Sequence, residues 1–275
     1  MAVIIFTDLD ASLLDHEGYG FAGAAEALEW IRRDRIPLIA VTSKCRPEVE
    51  AVRMQLGIRD PFIVESGAAL YVPEGYRRLR VSDALPEEGY RVFRWGMPYR
   101  LVRDALAAAR QRFPVRGFGD MDAAEVMRRT GLPLDQAILA RQREHSEPFI
   151  LADPSRLRDL ENWAAARDLA IVRGGRFFHL IAAAQSKGRA VTHLIGLFRQ
   201  ILDKPPVTIG IGDSPNDASM LAVVDLPVLL PHDDGTLAQV PLAGLIRGRA
   251  PGSRGWNQVV LRLLAANVFT AIASP

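Results

Sequence analysis

Val3-Ile4-Ile5-Phe6-Thr7-Asp8-Leu9-Asp10-Ala11-Ser12 is the stretch on which the fold turns. Residues 3–7 are all β-branched or aromatic, with no polar alternation, as in a strand buried on both faces of a parallel sheet. Asp8 and Asp10 follow where the strand opens into a loop, at the carboxyl edge where open α/β sheets bind ligands. Two residues apart on such a loop, both carboxylates are expected to face one pocket. An acidic pair that merely caps a loop fits the same spacing.

Outward from this stretch, residues 24–35 carry helical periodicity through Ala27, Leu28 and Ile31, and residues 37–42 read as a second buried strand. Together they make a βαβ unit. Pro47 suits the first turn of a helix ending at Leu56, Gly57 stops it, and residues 62–65 read as the next strand. The fold class is therefore α/β, a doubly wound parallel-sheet core of Rossmann type. From residue 82 to 185 the texture changes, with short strands near 91–95 and 176–181 between helices near 101–112 and 154–166. We read residues 82–185 as an inserted α+β domain and residues 1–81 and 186–275 as the core. The α/β pattern resumes with a helix over 188–202 and strands at 207–212, 227–230 and 244–247.

Bulk composition narrows the function. The chain has 275 residues, is 49% hydrophobic, and carries a formal net charge of +2. That is enough to bury a large core, and acids and bases are mixed along its length. With no basic stripe or tail, neither nucleic acid nor an anionic membrane surface is the expected partner; a small anionic substrate is. The single cysteine, Cys45, excludes an intrachain disulfide, and no Cys/His cluster has zinc spacing, so a reducing cytoplasm and an oxygen-liganded metal are expected. The apolar run at the start is too short for a signal peptide, and no later run reaches bilayer length. The sequence specifies no oligomeric state.

Three further segments carry chemistry. Gly210-Ile211-Gly212-Asp213-Ser214-Pro215-Asn216-Asp217 follows another buried run and places two carboxylates in a glycine-flanked turn suited to a hard cation. Asp213 or Ser214 can equally cap the helix that follows, and both roles are compatible. Ser186-Lys187-Gly188 sets one of only three lysines at a helix start, where ammonium and helix N-terminus both favour an anion. Thr42-Ser43-Lys44 offers hydroxyls, backbone amides and a second lysine just past the second strand.

In this order, each at a core strand end or a helix start, the four segments resemble the haloacid dehalogenase superfamily of phosphohydrolases. The resemblance implies Asp8 as the nucleophile that forms an aspartyl phosphate and Asp10 as the acid/base. Thr42 and Lys187 are then the groups that hold the phosphoryl oxygens. It also implies Mg²⁺ held by the Asp8 carboxylate, the Asp10 backbone carbonyl and Asp213, with Asp217 close by beside Lys187. Ala11 and Ser12 depart from the family's glycine and threonine. Serine keeps the hydroxyl, whereas alanine lacks glycine's freedom to take positive φ.

The insert lies between the second and third motifs, as in the branch whose α+β cap closes over small sugar phosphates. Gly117-Phe118-Gly119-Asp120-Met121, Arg141-Gln142-Arg143-Glu144-His145-Ser146-Glu147-Pro148-Phe149 and Gly174-Gly175-Arg176-Phe177-Phe178-His179-Leu180 resemble cap segments of mannosyl-3-phosphoglycerate phosphatases. Glu65-Ser66-Gly67-Ala68 and Gly255-Trp256-Asn257 agree with them. The resemblance implies hydrolysis of mannosyl-3-phosphoglycerate. Arg143, Glu144, Ser146, Glu147 and Arg176 would bind the substrate from the cap, and Ser43, Lys44 and Asn216 from the core. Arg143 is the residue expected to grip the carboxylate. The glucosyl counterpart, a broader set of sugar phosphates, and a weakly catalytic phosphate-binding protein are the alternatives.

Overall fold

The computed structural model describes residues 2–174 and 176–266. Strands β1 (Val3–Thr7), β2 (Leu38–Val41), β3 (Phe62–Val64), β4 (Ala69–Pro73), β5 (Leu85–Glu87) and β6 (Tyr90–Arg94) come from the first part of the chain. The middle supplies β7 (Val115–Gly117), β8 (Glu147–Leu151), β9 (Leu169–Arg173) and β10 (Phe178–Ala182), and the last part β11 (Val207–Gly212), β12 (Leu226–Leu229) and β13 (Ile246–Arg247). A nine-stranded sheet runs β13-β12-β11-β1-β2-β3-β4-β6-β5, and a four-stranded sheet runs β7-β8-β10-β9. In the large sheet β13 through β3 are parallel, and β4, β6 and β5 form an antiparallel edge.

β1 is central because every one of its apolar side chains has a layer to enter. Ile5 packs with α1 (Ala25–Arg33), α2 (Arg46–Leu56) and the carboxyl-terminal helix over Gly252–Ala265, whereas Ile4 and Phe6 pack with the helices over Lys187–Arg199 and Ala218–Leu221. All three are at most 1% exposed, so each contributes on the order of 2 kcal/mol of burial. The carboxyl end of β1 is fixed from below. The Thr7 hydroxyl donates to the Asp8 carbonyl at 2.7 Å and accepts from the Trp256 indole at 3.0 Å, while the Asp8 amide donates to the Ile211 carbonyl at 2.8 Å. β1 and β11 are neighbours at which the winding reverses, so Asp8 and Asp213 meet at the switch point.

The strand near residues 91–95, read as part of the insert, belongs to the large sheet: β6 pairs with β4, with Val92 opposite Tyr71. Its half-buried composition is that of any two-layer strand, so the change of partner sheet left no local mark. The second sheet is built from β7 to β10 around its own core of Val102, Leu106, Phe149, Leu160 and Leu180. No helix among the described residues is long and apolar enough to cross a membrane.

Ala11 lies at φ 57°, ψ 8°, in the left-handed region. An L-residue with a Cβ is strained there by roughly 1–2 kcal/mol, so the loop keeps the shape for which glycine is suited. Ala11→Gly relieves the strain but gives back unfolded-state entropy, leaving a net stabilisation of roughly 0.5–1 kcal/mol. Urea melts of the two proteins measure this directly; a variant that melts earlier contradicts it.

Candidate active site

Lys187 is the centre of the site. It begins α7 (Lys187–Arg199; α3 to α6 are Tyr99–Ala109, Ala123–Thr130, Leu134–Ala140 and Leu157–Ala165), and Ser186 caps that helix by accepting from the Arg189 amide at 3.1 Å. The Lys187 ammonium is 2.7 Å from Asp8 Oδ1 and 2.7 Å from Asp217 Oδ1, and the residue is 1% exposed. Gly188 makes the approach possible, since a Cβ there would lie 2.2 Å from the Ser219 carbonyl oxygen. Burial opposes the charge on Lys187, but Asp217 and Asp8 more than offset it and hold the ammonium above its ordinary range.

The acidic turn after β11 combines the two roles open to it. Asp217 Oδ2 accepts from the amides of Asp213 at 3.1 Å and Ser214 at 3.2 Å, closing a capping box with Ser214. With Oδ1 on Lys187, Asp217 has both oxygens engaged. Asp8, Asp213 and Asp217 each present a carboxylate oxygen within 4.8 Å of the others, a hard-oxygen cluster that can hold a metal ion. Burial, then Asp217 and Asp10, push the Asp8 carboxyl up to about 7 in spite of Lys187, and burial with Asp217 and Asp8 raises Asp213 well above the usual range. Three buried carboxylates thus share one ammonium, and the cluster is short of positive charge.

Asp10, Ser43 and Lys44 line a cavity of about 600 Å³, with Asp8 and Asp213 also in its wall. Lys44 is 3.0 Å from Asp10 Oδ1 and 3.5 Å from Glu48 Oε1, and it lies over the Tyr19 ring at 4.9 Å. Thr42 is fully buried beneath this loop and accepts from the Lys44 amide at 3.2 Å, leaving its own proton to donate. Asn216 reaches the cavity wall, where the Ser214 hydroxyl donates to its Oδ1 at 2.9 Å.

The insert divides the residues expected of it. Arg176 lines the cavity, donating to the Thr130 carbonyl and lying 3.2 Å from His16 Nε2. Arg143 also reaches the wall, but its two terminal nitrogens are turned to the protein: they donate to the Ser43 carbonyl at 2.6 Å, the Ser146 hydroxyl at 2.9 Å and Glu48 at 3.3 Å. Glu144, Ser146 and Glu147 are not in the wall. Glu144 accepts from the Tyr71 hydroxyl at 3.1 Å, and Ser146 donates to Glu65 Oε2 at 2.6 Å. Glu147, 0% exposed, takes Arg103 at 2.8 Å, the Tyr99 hydroxyl at 2.7 Å and the Gly119 amide at 2.8 Å. These polar groups looked available in sequence because their partners lie far along the chain. Gly175, paired with Gly174 as a point of close backbone approach, lies outside the described residues.

The structure adds residues that sequence reasoning passed over: His16, Tyr19, Arg173, His179 and His232 line the cavity. His179 carried a signal, being the lone titratable residue in the apolar strand Phe178–Ala182. It is 8% exposed, and its Nδ1 has no hydrogen-bond partner among the described residues. Burial, then Arg143 and Lys187, lower its pKa to about 3. The unfolded chain takes up this proton below its ordinary value of 6.5, whereas the folded protein takes it up only near 3. His179 therefore withdraws stability as the pH falls from about 6.5 toward 3. Between pH 7 and 5 the wild type should lose about 1–2 kcal/mol more than His179→Gln, by denaturant titration at each pH. Parallel stability curves for the two proteins would contradict this.

No protein-family model matches the chain. It is 44% identical over 262 residues, covering 95% of this chain and 97% of the relative, to a glucosyl-3-phosphoglycerate/mannosyl-3-phosphoglycerate phosphatase of Persephonella marina. It is 36% identical over 277 residues, covering 97% and 99%, to a protein of the same description from Methanococcoides burtonii. Among solved structures, a haloacid dehalogenase-like hydrolase from B. subtilis superposes with a TM-score of 0.65 at 18% identity, covering 96% of this chain and 99% of that one. With the acidic cluster and Lys187 at the switch point of the same fold, the chain belongs to the glucosyl-3-phosphoglycerate/mannosyl-3-phosphoglycerate phosphatases, phosphomonoester hydrolases of haloacid dehalogenase-like architecture.

Proposed function

We propose that this phosphatase hydrolyses mannosyl-3-phosphoglycerate or its glucosyl counterpart in the cytoplasm, with Mg²⁺ and through an aspartyl phosphate on Asp8. The observation that carries the reading is the Lys187 ammonium held 2.7 Å from both Asp8 and Asp217, beneath a cavity of about 600 Å³ roofed by the insert. An Asp8 oxygen attacks phosphorus while the ester P–O bond breaks, and Asp10 gives a proton to the departing glycerate oxygen. In the second step Asp10 takes a proton from the water that attacks phosphorus, and the bond to Asp8 breaks. Lys187 and the Thr42 hydroxyl hold the phosphoryl oxygens, the positioning that dominates this reaction class.

The donor set fits Mg²⁺: Asp8 and Asp213 are hard oxygen ligands, and Asp217, with both oxygens occupied, steadies the turn that carries Asp213. When bound, the ion supplies the positive charge that keeps these carboxylates ionised beside a phosphate dianion. With Arg143 tied to Ser43, the carboxylate role passes to Arg173 and Arg176, which line the cavity on the insert side, and His16 and His179 offer polar contacts to a hexose.

Phosphate release over a panel of both glycosyl phosphoglycerates, 3-phosphoglycerate and hexose 6-phosphates tests the reading. With Mg²⁺, one of the glycosyl phosphoglycerates should have a kcat/KM at least about ten-fold above any hexose 6-phosphate. Excess chelator should silence it, and Asp8→Asn should cost at least about a thousand-fold while the protein stays folded. Full activity in chelator refutes the charge argument, and preference for hexose 6-phosphates refutes the substrate.

A further inference from the structure

Glu65, Ser66 and Gly67 form three consecutive left-handed residues, at φ 48°, 60° and 92°. Only glycine adopts this region without cost, so a run of three persists where its surroundings fix it. The turn meets four parts of the molecule. Its amides at Glu65 and Ser66 donate to the carbonyls of Lys44 at 2.9 Å and Thr42 at 2.8 Å. Gly67 lies against the start of α7, where a Cβ would come within 2.1 Å of the Ser186 carbonyl oxygen and 2.7 Å of the Lys187 nitrogen. The chain passes into the insert beside it, with the Trp95 and Gly96 amides on the Ala68 carbonyl at 2.7 and 3.0 Å. It returns there too, with Gln185 Nε2 on the Glu65 carbonyl at 2.9 Å.

The Glu65 side chain makes a further link. It is 1% exposed, and its carboxylate accepts from the Glu144 amide at 2.8 Å, the His145 amide at 3.1 Å and the Ser146 hydroxyl at 2.6 Å, with Arg143 Nε at 3.5 Å. Ser146 in turn accepts from Arg143, which donates to the Ser43 carbonyl at 2.6 Å. One carboxylate thus collects the donors of loop 143–146, and that loop closes back on the residue next to Thr42. Three of the carboxylate's acceptor positions are thus committed to the insert, one on Oε1 and two on Oε2.

We propose that Glu65 is a positioning residue: it fixes loop 143–146 against Ser43 and so sets the insert in register with Asp8 and Lys187. This rests on the phosphatase reading above. A carboxamide at the position keeps the volume but turns an NH₂ toward donors, which breaks part of the clamp.

Glu65→Gln is compared with wild type on the best glycosyl phosphoglycerate of the panel and on p-nitrophenyl phosphate, whose small size asks little of the insert. With folding confirmed by circular dichroism and a cooperative melt, kcat/KM should fall at least about ten-fold on the large ester and stay within about three-fold on the small one. Hydrogen exchange should quicken in the peptide covering residues 143–147 and stay unchanged in β1. Ser146→Ala, which deletes one donor and leaves the charge, should move in the same direction by less, and it decides the matter should Glu65→Gln not fold. Equal losses on both esters, exchange that quickens everywhere, or an unaltered large-ester rate overturns the proposal. If the wild type cleaves p-nitrophenyl phosphate but prefers no glycosyl phosphoglycerate, the substrate reading has failed, and exchange at 143–147 still decides the clamp.

Discussion

A single buried ammonium holds three separate pieces of this chain in one place. Asp8 follows β1, Asp217 closes the turn after β11, and Lys187 begins α7, which returns from the insert. Taking charges out of water is costly, and an ion pair repays that cost only with good geometry and fully used hydrogen bonds. Asp217 meets the condition, with Lys187 on one oxygen and two amides on the other. Asp8 and Asp213 do not, and their raised proton affinities show it. The imbalance leaves the cluster with an unmet demand for positive charge.

The insert spends its charge differently. Glu147 is buried among Arg103, Tyr99 and the Gly119 amide, and so fixes the loop after β7. Glu65 and Arg143 join the insert to the core across long stretches of chain. The cavity wall carries cations and imidazoles, Lys44, Arg173, Arg176, His16 and His179 among them.

How much of this was legible in sequence follows from how local each cause is. β1, β2 and β11 could be read because burial on both faces demands unbroken apolar runs, and their carboxyl ends then located Asp8, Thr42 and Asp213. Lys187 could be read from its rarity and its place at a helix start. β6 reads in sequence with the insert but pairs with β4 in the large sheet, because its pattern states only that one face is buried, not against which partner. Glu144, Ser146 and Glu147 read as open to a substrate because most of their partners, Tyr71, Tyr99, Arg103, Gly119 and Glu65, lie far along the chain, outside any local pattern. Ala11 shows the reverse case: the sequence marked a departure from glycine, and the backbone has kept glycine's conformation.

Chemical trapping shows whether the phosphoryl group passes onto Asp8, as proposed. Enzyme quenched during turnover and reduced with borohydride converts an acyl phosphate to the alcohol, and peptide mass spectrometry then locates the reduced residue. We expect homoserine at position 8, absent without substrate and absent in Asp10-retaining Asp8→Asn. Modification at another carboxylate, or none while phosphate is released at full rate, would rule out Asp8 as the nucleophile.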